Sequence, residues 1–287
     1  PKTSPTPPVP CATWTWIRPL ARVISIANQK GGVGKTTTAI NLAASLAHLG
    51  QETLLIDMDA QANLTSGLGL QRDGLNKHIL HVLLEGAPLE DILKESGVEW
   101  LDVAPSHMDL YGAELELVNG ENRETRLQAA LKKFHKVYKY IFIDCPPALN
   151  LLTINALCAS DAVLIPMPCE YYALEGLSML VNTIDRVRAG LNPRLELEGV
   201  LVTMFDGRAT LTQQVYAEIK KFFGTKLYGT VIPRNVRLAE APSHGLPALV
   251  YDRHSSGAAA YLTLAREFLE RRGELPRLPI AEPATVS

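Results

Sequence analysis

The sequence predicts an α/β fold with a doubly wound, mostly parallel sheet and helices on both faces. Three observations predict it. Short apolar runs rich in β-branched residues recur along the 287-residue chain, stretches with helical spacing lie between most of them, and polar motifs follow several of the runs directly. Strands that alternate with helices are typical of a parallel sheet, and ligands of such a sheet bind at the carboxyl ends of its strands.

Seven apolar runs have the length and composition of buried strands, and four segments place apolar residues on one face of a helix. The predicted strands are 23–27, 53–56, 101–104, 140–143, 162–165, 200–203 and 229–232. The predicted helices are 36–49, 123–134, 211–223 and 257–271. The first helix stops at Gly50, a residue type that often ends helices because it tolerates a left-handed conformation.

The core of the chain has no internal repeat and no long flexible linker, which predicts a single domain over residues 21–273. Residues 1–20 are rich in proline, which disfavours a helix or a central strand, so we expect a disordered N-terminal extension there. Residues 274–287 contain Pro276, Pro279 and Pro283 and are predicted to form a loose C-terminal tail.

The overall composition, with 47% hydrophobic and 20% charged residues, is that of a soluble globular protein. The formal net charge of −2 excludes a globally basic nucleic-acid binder but allows a local basic face. The four cysteines form no C-x-x-C pair, and no histidine cluster completes a zinc site, a pattern typical of a reducing cytoplasm. No apolar stretch approaches the roughly 20 residues that cross a bilayer, so no membrane span is expected.

A glycine-rich segment, residues 28–37, follows the first predicted strand and opens the first predicted helix. It reads Asn-Gln-Lys-Gly-Gly-Val-Gly-Lys-Thr-Thr, which departs from a strict phosphate-binding loop because Gln29 stands where the motif has glycine. We expect Lys35 to reach the β- and γ-phosphates of a nucleotide and the Thr36 hydroxyl to bind Mg²⁺. The other predicted nucleotide contacts in this loop are Lys30, Gly31, Gly32, Val33, Gly34 and Thr37.

Carboxylates follow two of the predicted strands. Asp57 and Asp59 come directly after strand 53–56, and the alternation of side chains points both toward the phosphate loop. Asp144 follows strand 140–143 in the same way. A buried carboxylate is costly unless it meets a cation or hydrogen-bond donors, and Mg²⁺ meets that need. The alternative is that each aspartate caps a following helix.

The segment Lys-Gly-Gly-Val-Gly-Lys-Thr-Thr resembles the deviant Walker A motif of the ParA/MinD superfamily of P-loop ATPases. Residues 22–272 resemble Soj/ParA-type chromosome-partitioning ATPases nearly throughout, whereas residues 1–20 fall outside the resemblance. Further matches are Leu-Ile-Asp-Met-Asp-Ala-Gln at 55–61, Ile-Asp-Cys-Pro-Pro at 143–147, Cys-Glu-Tyr-Tyr-Ala-Leu-Glu-Gly at 169–176 and Ile-Pro-Arg-Asn-Val-Arg at 232–237.

The resemblance implies a P-loop NTPase fold and a slow ATP hydrolase that uses Mg²⁺ and dimerises when ATP is bound. Lys30 would be the signature lysine, which reaches the ATP of the partner subunit. Asp59 would orient the attacking water, Asp57 would support Mg²⁺ and the switch region, and Asp144 would be the Walker B carboxylate.

The pocket for the nucleotide base is built, in that family, from loops after the later strands. The residues of this chain in those loops are Met204, Asp206, Pro233 and Asn235. For Met204 and Pro233, plain packing is an equal alternative.

The segment 184–238 carries nine basic and five acidic residues, an excess of positive charge in a chain of net charge −2. A solvated helix face is the simplest explanation for such a segment. The resemblance instead implies a surface that binds double-stranded DNA nonspecifically in the ATP dimer, with Arg208, Arg234 and Arg237 as contacts. It also implies a ParB/Spo0J-type centromere-binding partner that accelerates hydrolysis, and a nucleoid-associated location in the cytoplasm.

Three other functions use related machinery. A MinD-like membrane-surface ATPase needs a basic amphipathic C-terminal helix, but residues 278–287 contain prolines and no lysine or arginine, so no stable membrane anchor is expected. An electron-transfer relative needs cluster-binding cysteines, for which no spacing fits. A filament-forming ATPase and a second role in replication initiation stay open.

Overall fold

The computed structural model describes residues 21–170 and 173–274. These residues form a seven-stranded sheet with helices on both faces, which confirms the predicted fold class. The strands are β1 (Arg22–Ile26), β2 (Thr53–Asp57), β3 (Lys94–Glu95), β4 (Leu101–Ala104), β5 (Tyr140–Asp144), β6 (Ala162–Pro168) and β7 (Glu196–Thr203). Their order across the sheet is β3-β4-β2-β5-β1-β6-β7.

The helices connect the strands and then complete the C-terminal part of the fold. They are α1 (Lys35–His48), α2 (Asn63–Gly67), α3 (Ile79–Leu84), α4 (Leu110–Val118), α5 (Arg126–Lys133), α6 (Leu151–Ala159), α7 (Ala173–Gly190), α8 (Thr210–Phe223), α9 (Val236–Glu240), α10 (Ala248–Tyr251) and α11 (Ser256–Glu270). Short 3₁₀ turns lie at Arg72–Gly74, Leu89–Ile92, Gly224–Lys226 and Ala241–His244. All four predicted helices are present, with ends that shift by up to three residues.

Every strand pair in the sheet is parallel except β3 with β4. Parallel pairing brings the carboxyl ends of β1, β2 and β5 to one edge, where Ile26, Asp57 and Asp144 are aligned across neighbouring strands. This edge is where the phosphate loop and the predicted carboxylates meet. β3 is a two-residue antiparallel strand of exposed Lys94 and Glu95 that the apolar pattern did not predict.

The predicted strand at 229–232 is wrong. Its flanking residues Leu227 and Pro233 form isolated bridges with Val200 and Phe205. Within the segment, Ile232 donates its backbone N–H to the Val202 carbonyl of β7 at 2.8 Å, but no ladder forms. The physical reason lies in α11: the carboxylate of Glu267 accepts hydrogen bonds from the backbone N–H groups of Gly229 and Thr230, both at 2.8 Å. Those two donors are therefore unavailable to a strand ladder.

The sheet divides the apolar core into two clusters, one on each face. Alternate residues of β5 point to opposite sides: Ile141 and Ile143 belong to one cluster, and Tyr140 and Phe142 to the other. α1 and α11 pack together over the Tyr140 side. Buried side chains of α4, α6 and α7 cover the Ile141 side. The sheet is thereby fixed from both faces, and its loop-bearing edge is left open.

Glu274, the last described residue, contacts side chains at the start of β5. Glu274 accepts a hydrogen bond from the Tyr140 hydroxyl at 2.6 Å and forms an ion pair with Lys139 at 3.1 Å. The predicted N-terminal extension, 1–20, and the rest of the predicted tail, 275–287, lie outside the described residues. Among the helices that are described, none has the length and apolar character needed to span a bilayer.

Candidate functional site

The glycine-rich loop between β1 and α1 is fixed by side chains of its own and of neighbouring strands. Asn28 is buried; its Nδ2 donates to the Pro166 carbonyl at 2.8 Å, and its Oδ1 accepts from the Lys30 backbone N–H at 3.0 Å. Thr203, at the end of β7, donates its hydroxyl to the Val33 carbonyl at 2.8 Å. The loop is therefore anchored by protein groups at its start and at Val33.

Two glycines in this loop adopt backbone conformations that other residues rarely tolerate. Gly32 has φ +71° and Gly34 has φ +89°. Gly34 immediately precedes α1, so the left-handed turn there aims the first backbone N–H groups of a 14-residue helix into the loop. A helix N-terminus with free N–H groups favours negative charge, and phosphate is the ligand such loops commonly hold.

Lys35 is buried at the start of α1, with 6% of its surface exposed. Its Nζ makes one hydrogen bond in the described part of the chain, to the Lys30 carbonyl at 3.1 Å. Burial lowers the pKa of Lys35, and the nearby Asp144 carboxylate partly opposes that shift. A buried ammonium with donor capacity to spare is suited to an anion that enters the loop.

Asp144 ends β5 beside the loop. Its Oδ2 accepts a hydrogen bond from the Thr36 hydroxyl at 2.7 Å, whereas its buried Oδ1 has no hydrogen-bond partner in the described part of the chain. Burial, followed by the proximity of Asp57, raises the pKa of Asp144 well above its usual value, and Thr36 and Lys35 act in the opposite direction. A cation at this carboxylate would relieve both the missing contact and the cost of burial.

Asp57, at the end of β2, is satisfied by protein groups. Its Oδ2 accepts from the Thr65 backbone N–H at 3.0 Å and from the Thr65 hydroxyl at 2.7 Å, and its Oδ1 accepts from the Asp59 backbone N–H at 3.1 Å. Burial raises the pKa of Asp57 to about 6, although the Thr65 hydrogen bonds oppose the rise. Asp57 therefore fixes the segment that carries Asp59, and each of its oxygens accepts at least one hydrogen bond from a protein group.

A cavity of about 540 Å³ opens over the phosphate loop. Gly31, Gly32, Gly34, Lys35, Thr36 and Thr37 form one wall. Asp59, Gln61, Asn63 and Pro147 also line it. Asp59 is half-buried, and its Oδ1 accepts from the Gln61 backbone N–H at 2.9 Å. Asp59 thus presents a carboxylate to the space above the loop, and Pro147 contributes to the same wall.

The loops after β7 close the cavity on another side, where the base pocket is predicted. Met204, Pro233 and Asn235 line the cavity, but Asp206 is not among its lining residues. The Asp206 carboxylate instead pairs with Arg208 in two contacts of 2.9 and 3.0 Å.

Eight residues that line this cavity are not among the site residues predicted from the sequence: Gln61, Asn63, Pro147, Thr203, Ile232, Leu238, Ala239 and Tyr261. Gln61 belongs to the matched segment 55–61 and could have been found there. Tyr261 gives no local signal, because it comes from α11 and reaches the site through the tertiary fold, with its hydroxyl 3.1 Å from that of Thr38.

Lys30, the second lysine of the loop, is oriented differently from Lys35. It is exposed, does not line the cavity in the described part of the chain, and donates to the Glu170 carboxylate at 2.5 Å. The side chains of Lys30 and Glu170 are 46% and 50% exposed, respectively. One lysine of the loop therefore lies inside the cavity and the other forms a surface ion pair.

The three arginines predicted to contact DNA are not equivalent. Arg234 lines the cavity. Arg208 is almost fully exposed but pairs with Asp206. Arg237, half exposed, pairs with Glu240 at 2.8 Å and with Asp252 at 3.3 Å. Acidic groups of the same chain therefore neutralise part of the charge on Arg208 and Arg237.

The residues present fit a nucleotide phosphate together with Mg²⁺. The orphaned Oδ1 of Asp144 and the adjacent Thr36 hydroxyl are hard oxygen ligands of the kind Mg²⁺ prefers. The helix N-terminus and Lys35 supply the donors that a phosphate needs.

Comparison with known proteins gives a consistent result. A family model described as an AAA domain matches residues 21–197. The chromosome partitioning protein ParA of Myxococcus xanthus is 53% identical over 260 residues, which cover 91% of each chain. The sporulation initiation inhibitor protein Soj of Bacillus subtilis is 55% identical over 248 residues, which cover 86% of this chain and 98% of that protein.

Among solved structures, cobyrinic acid a,c-diamide synthase from Mycobacterium smegmatis, with bound ADP and magnesium, shares the fold with a TM-score of 0.78 and 33% identity. The match covers 92% of this chain and 100% of that one. The two curated relatives share more than half of their aligned residues with this chain over nearly its whole folded length. The chain therefore belongs to the ParA/Soj family of chromosome-partitioning ATPases.

Proposed function

We propose that this protein is a partitioning ATPase that binds ATP and Mg²⁺ in the cavity over the phosphate loop and dimerises in the ATP state. As a dimer it binds double-stranded DNA without sequence preference and drives chromosome or plasmid segregation with a ParB/Spo0J-type partner that stimulates hydrolysis. The observation that carries the proposal is the divergence of the two loop lysines. Lys35 lies within the cavity, and Lys30 lies outside it on an exposed surface.

The cavity residues have separate roles in this proposal. Lys35 and the backbone N–H groups of the loop bind the phosphates, and Thr36 and Asp144 hold Mg²⁺, which when bound neutralises charge that develops on the phosphates. Asp59 orients the attacking water. Asp57 holds the Asp59 segment through its hydrogen bonds to Thr65 and to the Asp59 backbone. Met204, Pro233 and Asn235 contact the base, while Asp206 contributes through its pairing with Arg208.

The position of Lys30 supports the proposed dimerisation. An exposed ammonium cannot stabilise a phosphate in its own cavity from the place where Glu170 holds it, but it can reach a cavity presented by a second subunit. A cation–phosphate contact is worth most where water is excluded, as at an interface between two subunits. ATP binding and association are therefore coupled, and intrinsic turnover is slow until a partner protein accelerates it.

DNA binding rests on Arg208, Arg234 and Arg237. Since Arg208 and Arg237 are paired with acids of the same chain, each must exchange a carboxylate for a phosphate when DNA binds. Such an exchange yields little free energy per arginine. Two copies of the surface in a dimer double the number of phosphates neutralised, so a monomer binds weakly and the dimer binds well.

The decisive experiment measures binding of the full chain to random-sequence duplex DNA with ATP, with ADP and without nucleotide, across a salt series. We expect binding in the ATP state alone, with an affinity that falls steeply as salt rises. Equal binding in all three states would refute the nucleotide switch. Absence of binding in every state, with ATPase activity intact, would refute the DNA proposal and make anionic lipid vesicles the next surface to test.

A further inference from the structure

Three side chains that take no part in nucleotide binding meet beside α3 and α4. His78 directly precedes α3, and His107 and Asp109 lie in the segment between β4 and α4. One ligand atom from each lies within 4.8 Å of the others. The Asp109 Oδ2 is 3.0 Å from the His107 Nδ1 and 4.0 Å from the His78 Nε2.

The burial of His78 is unusual for a polar ring. Its side chain is 4% exposed, and its Nδ1 has no hydrogen-bond partner in the described part of the chain. The ring stacks on His107 with a centroid distance of 4.8 Å and meets His81 edge-on at 4.4 Å. The buried Nδ1 of His78 thus lacks the hydrogen bond that normally compensates for burial. The two neighbouring rings do not, because His81 Nδ1 accepts from the His78 backbone N–H at 3.2 Å and His107 Nδ1 accepts from the Asp109 backbone N–H at 3.3 Å.

Asp109 is the charged member of the group and lies beside both imidazoles. The carboxylate of Asp109 supplies the negative charge that would compensate a cation.

We propose that His78, His107 and Asp109 bind one divalent transition-metal ion of the Zn²⁺ type. Two imidazoles and a carboxylate are ligands that suit zinc, with a fourth position left for water. Tetrahedral ligands at zinc lie about 3.3 Å apart, so the group must close by roughly 1 Å or more at its widest point. The widest separation is between the two imidazoles, since both Asp109 contacts are 4.0 Å or shorter. His107 has room to move toward His78, because 25% of its side chain is exposed.

The proposed metal centre is chemically distinct from the Mg²⁺ site. Thr36 and Asp144 offer oxygen alone, whereas His78 and His107 offer nitrogen, which Mg²⁺ seldom accepts. None of the three ligands lines the nucleotide cavity. Local sequence patterns do not predict this cluster, because His78 and His107 are far apart in the chain and become neighbours through the packing of α3 on α4.

The metal centre is nevertheless connected to the nucleotide site through the backbone. Ser106, next to His107, donates its backbone N–H to the Thr65 hydroxyl at 2.9 Å, and Thr65 donates to Asp57. A metal that fixes His107 therefore also restrains the segment that supports Asp57.

The test uses the full chain, stripped with EDTA and kept reduced, with excess Mg²⁺ to saturate oxygen sites. After equilibrium dialysis against micromolar Zn²⁺, bound zinc is quantified by elemental analysis, and Co²⁺ titration provides an absorption spectrum of the site. We expect one zinc per chain. In His107→Ala and Asp109→Asn the zinc affinity should fall by at least about 100-fold, since loss of an outer-shell partner alone typically costs 10- to 100-fold.

The matched control is His254→Ala, which removes an exposed histidine outside the cluster and should bind zinc like the parent. Circular dichroism verifies that each variant is folded, which we expect because His107 and Asp109 are not buried. If the parent binds no zinc, or if His107→Ala and Asp109→Asn retain it, the proposal is overturned. A tetrahedral Co²⁺ spectrum in the parent and its loss in those two variants would support it.

Discussion

The phosphate loop and the arginine surface carry positive charge in opposite ways. In the loop, Lys35 is buried with one backbone carbonyl as its partner, and the neighbouring Asp144 has an oxygen with no partner in the described part of the chain. On the surface, Arg208 and Arg237 are exposed and already paired with Asp206, Glu240 and Asp252. The loop is thus prepared for a ligand, whereas the surface must give up its own contacts to gain one.

This difference predicts that ligands bind more strongly at the phosphate loop than at the arginine surface. A ligand of the loop removes an existing electrostatic penalty, so its binding is strong and specific. A ligand of the surface replaces one exposed ion pair by another, and exposed pairs are worth only about 0–1 kcal/mol each. Substitutions in the loop are therefore expected to have large effects, and substitutions on the surface small ones that depend on salt.

The largest effect is expected for Lys35→Ala. Loss of the buried ammonium should weaken ATP binding by at least about 30-fold, because removal of one partner from a buried charged contact typically costs 2–5 kcal/mol. Calorimetry with ATP and Mg²⁺ measures it. The matched control is Lys30→Ala, in which the monomer should keep its ATP affinity but lose the ATP-dependent dimer. Unchanged affinity in Lys35→Ala would contradict the assignment of the loop.

Asp59→Ala comes next and tests the proposal that Asp59 orients the attacking water. Hydrolysis should slow by about 100-fold or more, the usual scale for loss of a positioned acid–base group. ATP binding should be kept, so the protein should accumulate as an ATP-bound dimer. Light scattering after size-exclusion chromatography distinguishes the states. A variant that binds ATP and stays strictly monomeric would count against this role for Asp59.

A smaller effect, on DNA affinity, is expected for Arg237→Ala, which changes one of the exposed arginines. DNA affinity of the ATP dimer should fall about 10-fold at moderate salt, and the slope of log affinity against log salt should decrease by about 2, one phosphate for each subunit. The dimer itself should be unaffected. Arg123→Ala is the control, since Arg123 is similarly exposed and paired with Glu124 but lies outside the basic segment. Equal DNA affinity in the parent and Arg237→Ala would remove Arg237 from the surface.

The smallest effect is expected for Glu170→Gln. Glu170 holds Lys30 in an exposed ion pair, so its neutralisation should free Lys30 and strengthen the ATP-dependent dimer by no more than about 5-fold. The dimer dissociation constant, measured by analytical ultracentrifugation with ATP, is the readout. Asp91→Asn breaks a similarly exposed pair with Lys77 and should change nothing. A weaker dimer in Glu170→Gln would mean that Glu170 acts across the interface instead.

The sequence was sufficient for most of the fold and for the chemistry of the loop, because both are encoded locally. Buried strands are recognised by their own apolar runs, and the loop by the order of its glycines and Lys35. The strand predicted at 229–232 failed for a non-local reason, since Glu267 of a distant helix takes two of its backbone donors.

Local sequence patterns do not reveal which groups each side chain contacts in the folded protein. Asp206 has the position of a base-pocket residue, yet its carboxylate turns to Arg208 two residues away. Arg234 is predicted to contact DNA, and the fold also places it at the wall of the cavity, which its position in the sequence does not indicate. In each case the choice depends on which groups lie within a few ångströms after folding, which sequence spacing does not record.

The two-residue strand β3 affects how readily the protein aggregates when its local concentration is high. A long, apolar sheet edge offers a row of unpaired backbone groups on which another chain can add a strand and start a fibre. At this edge the outermost strand is only Lys94 and Glu95, both exposed and of opposite charge. That edge is too short and too polar to act as a template, so crowding many copies together need not lead to aggregation through it.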